Sequence, residues 1–260
     1  MVGLSFTVLT FNTLFRPAAR RRLRAIAPRL GADVVCLQEV AYRANASLLA
    51  QNLTGFEPPT ARRYGLWCVG GLVTLSRTPV AGWSYEVFDR RGLWGTISAA
   101  DRLFRKGFLT TRHRLGDLEL VVVNTHLLAN YDQDWSPGNR YVAHQADELA
   151  QLSRALEKVD RQAFLVAAGD FNVPAGSPLL DRFVSDSGLT SVFGDTPPPA
   201  TLRASRGIKP VAIDHIFYRA PAGRRVEATA ATAFEDAIDL AQGISGFASD
   251  HLAVKATFTA

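Results

Sequence analysis

Residues 163–172 read AFLVAAGDFN. Ala163–Ala168 is an apolar run of strand length, and polar residues arrive where it stops: Asp170, then Asn172 two positions on. Two residues at that spacing on an extended chain share a face. A run this uniformly apolar predicts a strand buried on both sides. The same construction occurs earlier in the chain. The run LVVV at residues 120–123 leads into Asn124 and His126, DVVCLQE at residues 33–39 closes on Glu39, and LTFN at residues 9–12 closes on Asn12. Strands that end in polar groups are a common way to hold chemistry, because the sheet fixes the groups while the loops leave them accessible.

Outward from that stretch, strands are expected at Leu4–Thr10, Asp33–Gln38, Leu66–Leu75, Val80–Val87, Gly107–Arg114, Leu118–Thr125, Val211–Tyr218, Val226–Thr232 and His251–Phe258. Leu115-Gly116-Asp117 is a candidate hairpin turn. A helical pattern opens at Pro17 and carries Leu23, Ile26, Ala27 and Leu30 on one face, with Pro28 kinking or ending it. Ser47–Leu53 reads as a second helix, and Asn139–Leu156 as a third with Gln145, Leu149, Leu152 and Leu156 on one stripe. The strands come both as hairpins and in alternation with helices. This predicts an α/β fold of two packed sheets with helices outside. No linker or internal repeat divides the chain, so residues 1–260 are expected to form one domain. Thr196-Pro197-Pro198-Pro199 reads as a surface loop.

The chain is 260 residues long, 47% hydrophobic and 20% charged. Those values exclude a disordered chain and a disulfide-stapled miniprotein. No apolar run approaches the roughly 20 residues of a membrane-spanning helix. The apolar N-terminus lacks a basic leader, since its arginines follow the apolar stretch, which predicts a mature first strand in a cytoplasmic protein. Cys36 and Cys68 both lie in apolar runs and read as two buried free thiols, with a disulfide as the alternative. The net charge is +5, and Arg16, Arg20, Arg21, Arg22, Arg24 and Arg29 cluster with no acid among them. Such a cluster suits a phosphate-bearing partner or a solvated helix face.

Two further segments carry chemistry-bearing residues. Asp214-His215 lies inside VAIDHIFY, and Ser249-Asp250-His251 precedes the last expected strand. An Asp–His hydrogen bond fixes the imidazole tautomer and stabilises its charged form. Glu39 after a buried strand needs a partner, either Mg²⁺, which takes one or two carboxylates with water and phosphate, or a salt bridge or helix cap. His126 alone suits a core histidine, and Asp170 with Asn172 suits a side-chain-capped turn. His113 and His144 carry no such context and read as ordinary.

The order of these features along the chain is more specific than any one of them. Asn12, then QE at Gln38-Glu39, NTH at 124–126, GDFN at 169–172, ID at Ile213-Asp214 and SDH at 249–251 together resemble the endonuclease/exonuclease/phosphatase superfamily, the deoxyribonuclease-like fold, from Thr10 to about Phe258. The resemblance implies a four-layer sandwich, two central, mainly antiparallel sheets flanked by helices. It also implies a Mg²⁺- or Mn²⁺-dependent phosphoric ester hydrolase. Glu39 would be the principal metal ligand with Asn12 beside it, and Asp250 would be a further ligand. Asp170 would orient and deprotonate the attacking water, and Asn172 would hold the water and a phosphate oxygen. His126, with Asn124 and Lys106, would contact the phosphate. His251, partnered by Asp214, would stabilise the transition state or protonate the leaving group.

Within the superfamily, NTHL, the Lys106-Gly107 pair in DRLFRKGF and the stretch THLLANYDQDWSPGNRYVAHQADELAQL are similar to the neutral sphingomyelinase branch. That similarity implies phospholipase C-type cleavage of a small or lipid phosphodiester. The alternatives are a Mg²⁺-dependent DNA or RNA nuclease and a catalytically inactive binding module. The partners implied are a phosphodiester substrate, with nucleic acid or transient membrane-surface contact both open. Trp94, Leu103, Phe104 and Trp135 fall in expected loops, where they could touch an acyl or base moiety or simply pack.

Overall fold

A computed structural model describes residues 5–15, 20–205, 207–240 and 245–259. In chain order its strands are β1 (Ser5–Asn12), β2 (Val34–Gln38), β3 (Arg63–Tyr64), β4 (Trp67–Cys68), β5 (Val73–Ser76), β6 (Val80–Val87), β7 (Gly107–Leu115), β8 (Leu118–His126), β9 (Phe164–Asp170), β10 (Thr190–Ser191), β11 (Asp214–Arg219), β12 (Glu227–Ala233), β13 (Ile238–Asp239), β14 (Ser245–Gly246) and β15 (Ala253–Thr259). The helices are α1 (Arg20–Ile26), α2 (Arg43–Gln51), α3 (Ala99–Phe104), α4 (Arg140–Glu157) and α5 (Pro178–Ser187).

The strands form a five-stranded sheet, β12-β15-β1-β2-β5, and a six-stranded sheet, β10-β11-β9-β8-β7-β6. Each sheet has one parallel pair, β1 with β2 and β8 with β9; its other pairs are antiparallel. One apolar layer lies between the sheets, where Phe6, Phe164 and Phe258 interlock with ring centroids 5.1–5.2 Å apart. A second layer packs α1 and α2 on the first sheet, and a third packs α4 and α5 on the second. The result is the expected four-layer sandwich.

Alternation within the strands explains both the layers and the site. In β9, Phe164, Val166 and Ala168 face the other sheet, while Leu165 and Ala167 face the helices. Continued two residues at a time, the inter-sheet face runs Phe164, Val166, Ala168, Asp170 on β9 and Leu120, Val122, Asn124, His126 on β8. On β1 it runs Phe6, Val8, Thr10, Asn12. One face of each strand therefore turns from apolar to polar at the same end of the sandwich.

Several boundaries differ from expectation. Leu66–Leu75 is not one strand; it breaks at Val69–Gly71, where Gly70 and Gly71 take φ of 65° and 67°. A Cβ on Gly71 would lie 3.1 Å from Glu39 Cα, so the break lets the chain pass against the Glu39 backbone. Helix α2 begins at Arg43, four residues before the expected Ser47. Helix α5 was not anticipated, although Ser177 caps it, Pro178 opens it and Gly188 closes it. Leu103 and Phe104, expected in a loop, belong to α3, whose six residues are too few to show a period. Cys36 and Cys68 are buried and unpaired. Pro17 and Arg16 lie outside the described residues. Among the described residues, no helix is long and apolar enough to cross a membrane.

Candidate active site

Register places the key groups side by side. His126 on β8 pairs with Asp170 on β9, and Asp170 pairs with Asp214 on β11, so three adjacent strands present His, Asp, Asp in one row. The row needs Gly169, where a Cβ would sit 2.0 Å from the Thr125 carbonyl oxygen. From the facing sheet, Asn12 and Gln38 pair across β1 and β2, with Glu39 directly after. Glu39 has φ of 63°, a left-handed conformation that costs a non-glycine residue about 1–3 kcal/mol and is common at functional sites. The Val40 N–H donates to the Gly71 carbonyl at 2.9 Å, and the Phe15 N–H donates to Glu39 Oε2.

Asn12, Glu39, Lys106, His126, Asp170, Asn172 and His251 line a single cleft of about 290 Å³. Asn12 Nδ2 bridges the two carboxylates, donating to Glu39 Oε1 at 3.1 Å and to Asp170 Oδ2 at 2.9 Å. Asp170 Oδ1 accepts from the Asn172 N–H at 2.9 Å. Asn172 has φ of 52°, and its Nδ2 donates to the Leu127 carbonyl at 3.0 Å. Asp214 is fully buried behind the cleft, with Oδ2 2.8 Å from His251 Nδ1. This is the expected dyad. His215, next in sequence, points to the opposite face, where its Nε2 meets the Val173 carbonyl at 2.9 Å and its ring stacks on Phe217.

The electrostatics divide the two histidines of the cleft. Burial works against a charge on His251, but the Asp214 carboxylate outweighs it and lifts the ring to about 10, so it is protonated at neutral pH. Burial, then Lys106, then His251 push His126 well below its usual value, so it is neutral. Lys106 Nζ has only protons to give, so it donates to His126 Nε2 at 3.0 Å and to the Leu127 carbonyl at 2.9 Å, which leaves the His126 proton on Nδ1. Burial opposes the Lys106 charge, yet Asp101, 3.4 Å away, together with Tyr131, Asp170 and Glu39, holds its pKa above the usual value. Asp170 is raised by burial and by Asp214, against the pull of His251.

Besides Asp214, which lies behind the cleft against His251, two expected site residues do not join it. Asn124 shares the His126 face but lies two residues deeper, inside the inter-sheet layer. It accepts from Gln38 Nε2 at 2.8 Å and donates to the carbonyls of Leu37 and Val73, pinning the sheets together, so it is not a phosphate contact. Asp250 is exposed and faces a separate shallow pocket beside Arg203, because adjacent extended residues point to opposite sides and His251 takes the inward one. It is not placed as a metal ligand. Trp94 is exposed and lies under the Arg102 guanidinium, outside the cleft. Trp135 donates from Nε1 to the Asn172 carbonyl at 3.0 Å and acts behind the site.

The lining residues Asp101, Tyr131 and Phe15 were not anticipated, while Phe104, expected to touch an acyl or base moiety from a loop, lines the cleft from α3. Asp101 and Tyr131 lie within stretches already singled out, but nothing in their spacing separates them from neighbouring polar residues. Gln145 was read only as part of a helix face. Its Nε2 donates to both the Leu128 and Asn172 carbonyls at 2.8 Å, tying together the chain beyond β8 and β9.

Chemically, the cleft combines a buried carboxylate of raised pKa, a charged imidazole, a buried ammonium, an amide donor at Asn12 and carboxylate oxygens at Glu39 and Asp170. The carboxylates of Glu39 and Asp170, held together by Asn12 Nδ2, are hard oxygen donors that fit a small divalent cation, while Asn12 Oδ1 accepts from the Leu14 N–H at 3.0 Å. Asp170, Asp214 and His251 also converge, with ligand atoms within 4.8 Å. A charged imidazole offers no lone pair, so protonated His251 is not a metal ligand in that trio.

Comparison with known proteins bears on the family and the fold. A putative neutral sphingomyelinase from Drosophila melanogaster is 28% identical over 239 residues, 84% of this chain and 53% of the relative, so the chain spans about half that protein's length. Three solved structures share the fold. SmcL has a TM-score of 0.77 at 20% identity, covering 98% of this chain and 99% of that one. Humanised D. rerio TDP2 with 14 mutations has 0.74 at 16%, covering 98% of each. A beta toxin mutant from Staphylococcus aureus with bound magnesium ions has 0.74 at 18%, covering 97% of this chain and 99% of that one. At these identities the structural likeness is one of fold. Residues 9–251 match the Endonuclease/Exonuclease/phosphatase family, and the chain belongs to it.

Proposed function

We propose that the protein is a Mg²⁺-dependent phosphodiesterase that cleaves a phospholipid or related small diester in phospholipase C fashion, like a sphingomyelinase. The observation that carries the reading is the cleft itself. A phosphate-binding floor of Lys106, Asn12, Asn172 and His251 is walled by Phe15, Phe104 and Tyr131, which suits a diester with an apolar ester group. The relative from Drosophila melanogaster supports the same branch. Bound at Glu39 and Asn12, a magnesium ion would neutralise charge on the phosphate.

The remaining steps follow from the chain's own groups. Asp170 takes a proton from the water that attacks phosphorus. The bond from phosphorus to the lipid-side oxygen breaks, and His251 gives its proton to that oxygen. The products are a lipid alcohol and a phosphorylated head group. Lys106 and Asn172 oppose the charge that builds on the non-bridging oxygens. A nuclease reading draws on the net charge of +5 and the fold shared with TDP2.

The deciding experiment offers the protein, with Mg²⁺, sphingomyelin and phosphatidylcholine in micelles beside plasmid DNA and RNA. Release of phosphocholine is the expected result. DNA nicking with no phosphocholine released at the same enzyme concentration would reverse the choice.

A further inference from the structure

Among the described residues, six of the nine exposed large apolar side chains lie in two segments of the chain: Tyr64, Leu66 and Trp67 on the β3–β4 hairpin, and Trp94, Ile97 and Leu103 in and before α3. Leu66 is 77% exposed and Leu103 81%. The two segments meet, since Tyr64, Trp67, Leu103 and Phe104 line one groove of about 360 Å³. Trp67 is fixed there rather than free, stacked on Tyr42 at 4.6 Å and edge-on to Phe104 at 6.0 Å. Phe104 lines both this groove and the catalytic cleft, so the apolar face opens directly on the site.

Within these two segments the exposed charges are of one sign. Arg62, Arg63, Arg102 and Arg105 lie on the same two segments, and Arg43 donates to the Gly65 carbonyl at the hairpin turn. The one acid between residues 60 and 69 or 90 and 105 is Asp101, which is buried and paired with Lys106. Exposed aromatic and aliphatic side chains ringed by arginine match the boundary of an anionic bilayer, where apolar groups enter the acyl region and cations meet head groups. A single-stranded nucleic acid would use the rings and the arginines, but it offers Leu66 and Leu103 no hydrocarbon to enter.

We propose that the β3–β4 hairpin and α3 form a docking surface for anionic lipid membranes, which seats the mouth of the cleft against the bilayer. It rests on the reading of the cleft as a phospholipid hydrolase, and the test separates the two. The full chain is sedimented with vesicles of phosphatidylcholine, with and without phosphatidylserine. The variants Leu66→Ser/Leu103→Ser and Arg63→Glu/Arg105→Glu are run beside it.

The protein should bind the phosphatidylserine vesicles more tightly and leave them as salt is raised. The apolar variant should bind about tenfold more weakly, and the charge variant should lose more than about fivefold for each arginine reversed. Both should keep their melting temperature and their turnover of soluble bis(4-nitrophenyl) phosphate. Vesicle binding that is absent in the parent or unchanged in both variants would overturn the proposal, as would the same two variants abolishing binding to single-stranded DNA instead. Binding with the expected pattern but no phospholipid cleavage in micelles would uphold the surface and overturn the substrate reading.

Discussion

His251 and His126 stand in one cleft and differ in charge, because a carboxylate holds the proton on one while burial, with an ammonium beside it, keeps the other neutral. His251 faces the Asp214 carboxylate at 2.8 Å, and His126 faces the Lys106 ammonium at 3.0 Å. Asp170→Asn and His251→Ala should each lower kcat by on the order of 10²–10⁴ while the fold survives, measured by kinetics beside thermal melts. The pH profile should fall on the acid side as Asp170, raised by burial, takes up its proton, and on the alkaline side as His251 loses its own near pH 10. Asp214→Asn removes the charge that raises His251, so the alkaline limb should move to lower pH; an unmoved limb would sink the dyad assignment. Lys106 has a second role, since it neutralises buried Asp101. Lys106→Met alone should cost about 3–5 kcal/mol of stability by leaving a buried charge unpaired. Lys106→Met/Asp101→Asn should regain the melting temperature but not the turnover.

At the scale of elements, α4 holds the strand ends from behind. Gln145 ties the Leu128 and Asn172 carbonyls, and Glu148 Oε2 accepts from the Leu128 N–H at 2.8 Å. Gln145→Leu should lower kcat on the order of tenfold or more by loosening the spacing of Asn172 and Lys106, with KM for a small diester little changed. Burial lifts Glu148 to about 8, against the Leu128 N–H that favours its charged form. The folded protein thus holds a proton that the unfolded chain releases above its ordinary carboxyl value of 4.5. This share of stability is full below that value and is lost as pH rises toward 8. Glu148→Gln should flatten that decline in a series of melts across the window; an unchanged slope would show that the carboxylate is not the cause. The helix was legible from its apolar stripe, but its polar contacts were not, because a period of 3.6 reports which face is buried and not which carbonyls lie beneath it.

For the whole molecule, the site is the open end of the layer between two sheets, and its groups come from both. Chelation should abolish turnover, and added Mg²⁺ or Mn²⁺ should restore it. Glu39→Gln should raise the metal concentration needed for half activity, read by titration; full activity in chelator would refute metal dependence. The sequence by itself determined most of the long strands, the two-residue alternation that carries each inter-sheet face to a polar end, and the motif order that singled out Glu39, His126, Asp170, Asn172, Asp214 and His251. These are local properties, written in runs of a few residues. Only the tertiary structure decided that Asn124 is a pin between sheets, that Asp250 turns outward, that Lys106 is shared between His126 and Asp101, and that α3 walls the cleft. Each of those outcomes depends on groups from 5 to 87 positions away or on depth along a strand, and a chain read residue by residue carries neither the distance across the layer nor the partner waiting there.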